Sequence, residues 1–71
     1  MSLIKRSITI EGHATSVALE PAFWDELDRM ADDRGVPFAK LVAEIDAERE
    51  GGLASALRLS VLVDLKAPFT S

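Results

Sequence analysis

Between residues 14 and 50 the chain reads strand, helix, glycine turn, helix, with almost nothing to spare. Ala14 to Glu20 alternates small or polar residues with Val17 and Leu19, Pro21 opens a helical stretch that runs to Arg34, Gly35 breaks it, and a second helical pattern follows from Phe38 to Glu50. A strand-helix-helix unit of this size cannot bury its own apolar surface, so something must cover it, most simply a second copy of itself. The whole chain has only 71 residues. Chains this short bury a modest fraction of their surface and usually rely on a staple, a metal or oligomerisation. There is no cysteine, hence no disulfide and no thiolate metal site. Hydrophobic residues nevertheless make up 48% of the chain, too many for a disordered tail. An intertwined oligomer is the simplest solution.

Two strands are expected in the region 5–19. Ile8 and Ile10 alternate with Ser7, Thr9 and Glu11, and Val17 and Leu19 with Ser16 and Ala18, the period-2 pattern of strands with one buried face. Gly12 as the first residue of a Gly-His turn fits a type II′ hairpin, with Ile10 opposite Thr15 and Ile8 opposite Val17. The alternative is a flexible arm ending at Gly12. The first helix, 21–34, starts at Pro21, a residue favoured at the first helical position. Asp25, Glu26 and Asp28 lie near its positive end, and Phe23, Leu27 and Met30 form its apolar stripe, with Trp24 expected in the core toward a third helix. Gly35 is the expected stop. The second helix is expected over 37–50, with Phe38, Leu41, Val42 and Ile45 on one side and Asp46, Glu48, Arg49 and Glu50 in solvent. After Gly51-Gly52 a third helix is expected over 53–66. Leu53, Leu57, Val61 and Leu65 repeat every four residues, and Leu59, Leu62 and Val63 widen the stripe. A helix apolar most of the way round is a buried one, which in a protein this small implies a place across a subunit interface. Ala67-Pro68 ends it, and Phe69 to Ser71 is expected to fray.

Charge and chemistry narrow the function. The net charge of −4 argues against indiscriminate nucleic-acid binding. Residues 20–50 hold ten acids and four bases, while residues 1–19 carry Lys5, Arg6 and Glu11, so the strand end is the least acidic part. No apolar run approaches the roughly 20 residues of a membrane span. The opening Met1 to Arg6 lacks the long apolar stretch of a signal peptide, so a cytoplasmic location is expected. His13 is the sole histidine, read here as a hairpin-loop residue, and there is no cysteine or tyrosine. No phosphate loop, metal-ligand spacing or nucleophile motif occurs, and Asp32-Asp33 reads as a solvated helix end. No enzymatic activity, cofactor or metal is expected.

The ordered set Ser16-Val17-Ala18-Leu19-Glu20-Pro21, the Phe23/Leu27/Met30 stripe, Arg34-Gly35-Val36-Pro37 and Leu41/Val42/Ile45 resembles the ribbon-helix-helix family of the Arc/MetJ type. Lys5-Arg6-Ser7-Ile8-Thr9-Ile10, Gly12-His13 and Leu53-Ala54-Ser55-Ala56-Leu57-Arg58-Leu59 resemble a bacterial subgroup with an added N-terminal strand and C-terminal helix. The resemblance implies a mainly α, single-domain ribbon-helix-helix homodimer spanning 1–71, acting as a small DNA-binding transcriptional regulator with its β-ribbon toward the major groove. Outward residues at alternate ribbon positions, which meet base edges in the family, fall here on Ala14, Ser16 and Ala18. The start of the second helix, Phe38 and Ala39 with Lys40, offers free backbone N–H groups to a phosphate. Lys5 and Arg6 would clamp the DNA backbone beside the ribbon. The dimer interface is expected to include Val17, Leu19, Phe23, Leu27, Leu41, Val42, Ile45, Leu57 and Val61, in a dimer or a higher oligomer. Ala14 and Ala18 depart from the usual base readers, since they offer only apolar contact to a thymine methyl. The rival reading is a non-enzymatic interaction module that uses the same dimer without specific DNA binding.

Overall fold

A computed structural model of the chain describes residues 2–67; Pro68 and the fraying expected for 69–71 lie outside the described residues. An antiparallel hairpin, β1 (Ile4–Ile10) and β2 (His13–Leu19), leads into three helices, α1 (Pro21–Arg34), α2 (Phe38–Glu48) and α3 (Leu53–Lys66). The hairpin lies over the helices, β1 against α2 and β2 against α3.

The hairpin turn differs from the one expected. Its two loop residues are Glu11 and Gly12, with φ of 51° and 84°, so His13 belongs to β2 and pairs with Ile10. Two successive positive φ values make a type I′ turn, whose twist suits the flanking strands. Ile8 therefore faces Thr15, and Arg6 faces Val17. The shift from the expected register is two residues, so the apolar faces still coincide, because side chains alternate with a period of two. The gain is length. Ile4 and Lys5 pair with Leu19 and Ala18, whereas a Gly-His turn would leave both past the end of β2.

The helices follow local signals. Pro21 occupies the first turn of α1, and Gly35 closes it in the left-handed conformation at φ 66°, which glycine adopts without steric cost. The Gly35 and Val36 amides return to the carbonyls of Asp32 and Ala31. α2 is shorter than the expected 37–50, because Arg49 is already extended and leads into Gly51-Gly52.

The core is closed within one chain. Ile8, Val17, Leu19, Trp24, Leu27 and Met30 are buried together with Ala31, Leu41, Val42, Leu57 and Val61. This revises the expected role of the third helix. Leu57 and Val61 are 0% and 2% exposed inside their own protomer, so α3 covers the strand-helix-helix unit that could not cover itself, and β1 does the same from the other side with Ile8. Arginines tie these flanking segments down. Arg29 of α1 bonds Asp64 of α3 at 2.6 Å, along with Glu26 and Asp33. Asp64 and Glu26 are the main reasons its pKa is raised. Arg58 of α3 bonds Glu20 at 3.1 Å and lies 5.8 Å over the Phe23 ring. Glu20 is held below its ordinary pKa by its own backbone amide first and by Arg58 second.

Candidate nucleic-acid interface

Alternation along the hairpin sorts its residues onto two faces. Even-numbered residues of β1 and odd-numbered residues of β2 point toward the helices. The outer face therefore carries three facing pairs, Lys5 with Ala18, Ser7 with Ser16 and Thr9 with Ala14. All are exposed except Ala18, which is half-buried. No acidic side chain stands on this face between Glu11 at the turn and Glu20 after β2.

In a two-residue hairpin the pair flanking the turn exchanges both backbone hydrogen bonds. His13, Thr15, Val17 and Leu19 thus spend their backbone groups on β1. The N–H and C=O groups of Ala14, Ser16 and Ala18 point to the opposite edge of β2, which has no strand partner among the described residues.

Arg6 is not on the outer face. Parity turns it inward, where its guanidinium lies 4.7 Å from the centroid of the Trp24 ring and 5.4 Å from that of Phe38. It also forms a two-pronged pair with Asp28, both bonds at 3.1 Å. The hydrogen bonds to Asp28 are the first cause of its raised pKa. A DNA phosphate would have to displace Asp28 and two rings, so the expected clamp reduces to Lys5 alone. Trp24, in one buried cluster with Leu57 and Val61 of the third helix, also meets Arg6 and Phe38 and donates its Nε1–H to the Ile4 carbonyl at 2.7 Å. Together these contacts latch β1 to α1 and α2, which sets aside the flexible-arm alternative.

At the start of α2 the Pro37 carbonyl accepts from the Lys40 and Leu41 amides at 3.0 and 3.2 Å. The Phe38 and Ala39 amides come before the first intrahelical bonds, and no side chain caps them. Ala39 and Lys40 are exposed while the Phe38 ring is half-buried. Its packing on Arg6 sets this helix end beside the Lys5 end of β1.

Of the residues expected at a dimer interface, Val17, Leu19, Leu27, Leu41, Val42, Leu57 and Val61 are buried in their own chain, and Phe23 and Ile45 are half-buried. They are core residues first. Ser7 and Thr9 share the outer face with the expected ribbon residues, a placement that counting by two from Ile8 and Ile10 gives from the sequence. Among the described residues, no group of acidic, histidine or cysteine side chains could hold a metal, and no helix is long and apolar enough to cross a membrane.

Residues 3–65 match the family described as the ribbon-helix-helix domain, nearly the full described length. The chain belongs to the ribbon-helix-helix family. No curated protein and no solved structure matches it. Ribbon-helix-helix domains are in general DNA-binding transcription regulators, a non-enzymatic fold that typically dimerises. In this ribbon-helix-helix chain the strand before the Pro is β2, and the match also takes in β1 and all but the last residue of α3.

Proposed function

We propose that this chain is a DNA-binding regulator acting as a homodimer, and that it addresses the major groove with the outer face of its hairpin. Two copies would pair β2 with β2 through the free backbone groups of Ala14, Ser16 and Ala18, giving a four-stranded sheet with β1 on each flank. The observation that carries this reading is the acid-free outer face, which offers Lys5, Ser7, Thr9 and Ser16 on a chain whose net charge is −4.

The flanking strands constrain the fit. At about 4.8 Å per strand the outer strands stand roughly 14 Å apart, wider than a groove of about 12 Å. A right-handed twist of roughly 20–25° per strand tips the outer strands away from the groove floor. The two β2 strands enter, kept slim by Ala14 and Ala18. Lys5, Ser7 and Thr9 then ride against the phosphate walls. The Phe38 and Ala39 amides and Lys40 take a further phosphate. Ser16 is the single inner side chain that can hydrogen-bond a base, so phosphate contacts dominate and sequence discrimination is modest.

Gel shifts with genomic duplex fragments at two salt concentrations test this. Affinity should fall steeply with salt, and each of Lys5→Ala and Lys40→Ala should weaken all sequences alike while lowering the salt slope by about one. Ser16→Ala should change which sequence is preferred. If no duplex binds even at low salt, the regulator reading fails and the interaction-module reading replaces it.

A further inference from the structure

The outer side of α3 serves neither the core nor the ribbon. Leu59, Leu62 and Val63 are 59%, 48% and 66% exposed, against 0% and 2% for Leu57 and Val61 on the inner side of the same helix. Isolated apolar residues on a surface need no explanation, but a contiguous row does. These three stand at spacings of three and four, the pattern a helix presents when it lies in another protein's groove.

The chain also carries such a groove. Its one wall is the α3 edge with Ala56, Leu59 and Val63, and its other wall includes Met30 of α1 and Ile45 of α2. α3 is therefore both ridge and groove wall. An unrelated helix could fill the groove but would leave the ridge uncovered. A second copy, related by a two-fold axis, satisfies both at once, as isologous contacts do.

Charge selects the orientation. Glu44, Glu48 and Glu50 rim the groove with Arg34 and Arg49. Arg49 is paired with Asp46, and none of the three glutamates has a cationic partner among the described residues, so the rim stays net acidic. Lys66 at the far end of α3 is exposed and likewise unpaired among the described residues. With two α3 helices antiparallel and the axis midway between Leu59 and Val63, Lys66 of one copy falls opposite Ala56 of the other. The last turn of α2 runs through Arg49–Gly52 directly into that start of α3, which puts Glu48 and Glu50 beside it. Each dyad then gains two Lys66–glutamate contacts.

We infer that the outer side of α3 is a second self-association surface, on which α3 of another copy docks antiparallel. It is separate from the free edge of β2 and does not depend on DNA binding. A helix of 14 residues is about 21 Å long, so the contact is smaller than the roughly 800 Å² per partner of a standard interface. It is the weaker, concentration-dependent step, joining ribbon dimers into tetramers.

Sedimentation velocity on the full-length protein, from low to high micromolar, separates the two surfaces. The unaltered chain should reach a tetramer at the upper end. Leu59→Glu with Val63→Glu changes exposed positions only, so it should melt as the unaltered chain does yet stop at the dimer. Ser16→Pro removes an N–H from the free edge of β2 and should leave a dimer held by α3 alone. Lys66→Glu should weaken the last step about tenfold, and adding Glu48→Lys and Glu50→Lys should restore it. Sedimentation unchanged by the Leu59/Val63 pair, complete monomerisation by Ser16→Pro, or failure of the charge exchange to restore association would each overturn the inference. Failure of the regulator reading shows only in the gel shifts and leaves these results untouched.

Discussion

The two faces of the hairpin are made from alternate residues of the same strands, yet they hold adjacent cations to opposite tasks. Lys5 stands in solvent beside Ser7 and Thr9. Arg6, one residue on, is stacked on Trp24 and Phe38 and locked to Asp28. Charge alone does not make a residue available to a ligand; the parity of the strand decides, and the inner face converts a cation into structure. Arg29, Arg49 and Arg58 are likewise each paired with carboxylates, while Arg34 at the end of α1 stands exposed like the lysines.

The sharpest break of the comparison is at the end of β2. Leu19→Ala should cost about 2–5 kcal/mol in denaturant unfolding, since Leu19 is fully buried. Its outer-face neighbour, Ala18→Ser, should stay within about 0.5 kcal/mol. Next comes Arg6→Ala, expected to lose about 1–2 kcal/mol after discounting a pair that is partly exposed to solvent. Arg6→Lys should recover only part, because an ammonium neither forks onto Asp28 nor stacks as a plane. Equal weakening of DNA binding by Arg6→Ala and Lys5→Ala, with stability unchanged in both, would erase the distinction between the faces.

Smaller effects sharpen it. Glu11→Asn should raise stability by several tenths to about 1 kcal/mol, because Glu11 holds a left-handed backbone at φ 51° that asparagine tolerates better. Acid offers another probe, at the junction of β2 with α1. Glu20 has a folded pKa below its ordinary 4.5, so its contribution is complete above that value and is lost as pH falls through the lower, folded one. Thermal melts of Glu20→Gln should therefore lose part of the acid sensitivity seen below pH 4.5 in the unaltered chain. Last, Lys5→Ala should leave the melting curve within about 0.5 kcal/mol of the original, its effect confined to the salt slope of binding.

What could be read without coordinates was whatever local chemistry decides. Pro21 and Gly35 mark the ends of α1 because one presets φ and the other accepts a positive one. The ribbon-helix-helix order rests on such signals. Face parity was also legible, since isoleucines at 8 and 10 and Val17 with Leu19 alternate. Register was not, because Gly12 suits either loop position and only the full pairing of Ile4 and Lys5 favours the second. Arg6 shows how composition and parity can conflict: as half of a basic pair with Lys5 it reads as a clamp, whereas counting back from Ile8 puts it inward. Its partners Trp24, Asp28 and Phe38 lie on two other elements, beyond any local pattern. The self-sufficiency of the core was hidden likewise, because α3 reads as apolar nearly all round and the sequence does not say which side its own chain covers.

Trp24 is the chain's single tryptophan, and there is no tyrosine. Its indole N–H is bound to β1 and its ring lies under the Arg6 guanidinium. The protein's intrinsic fluorescence therefore arises almost wholly at a point where β1 is fastened to the helices. Any event that lifts or tightens that strand registers in the emission without a label.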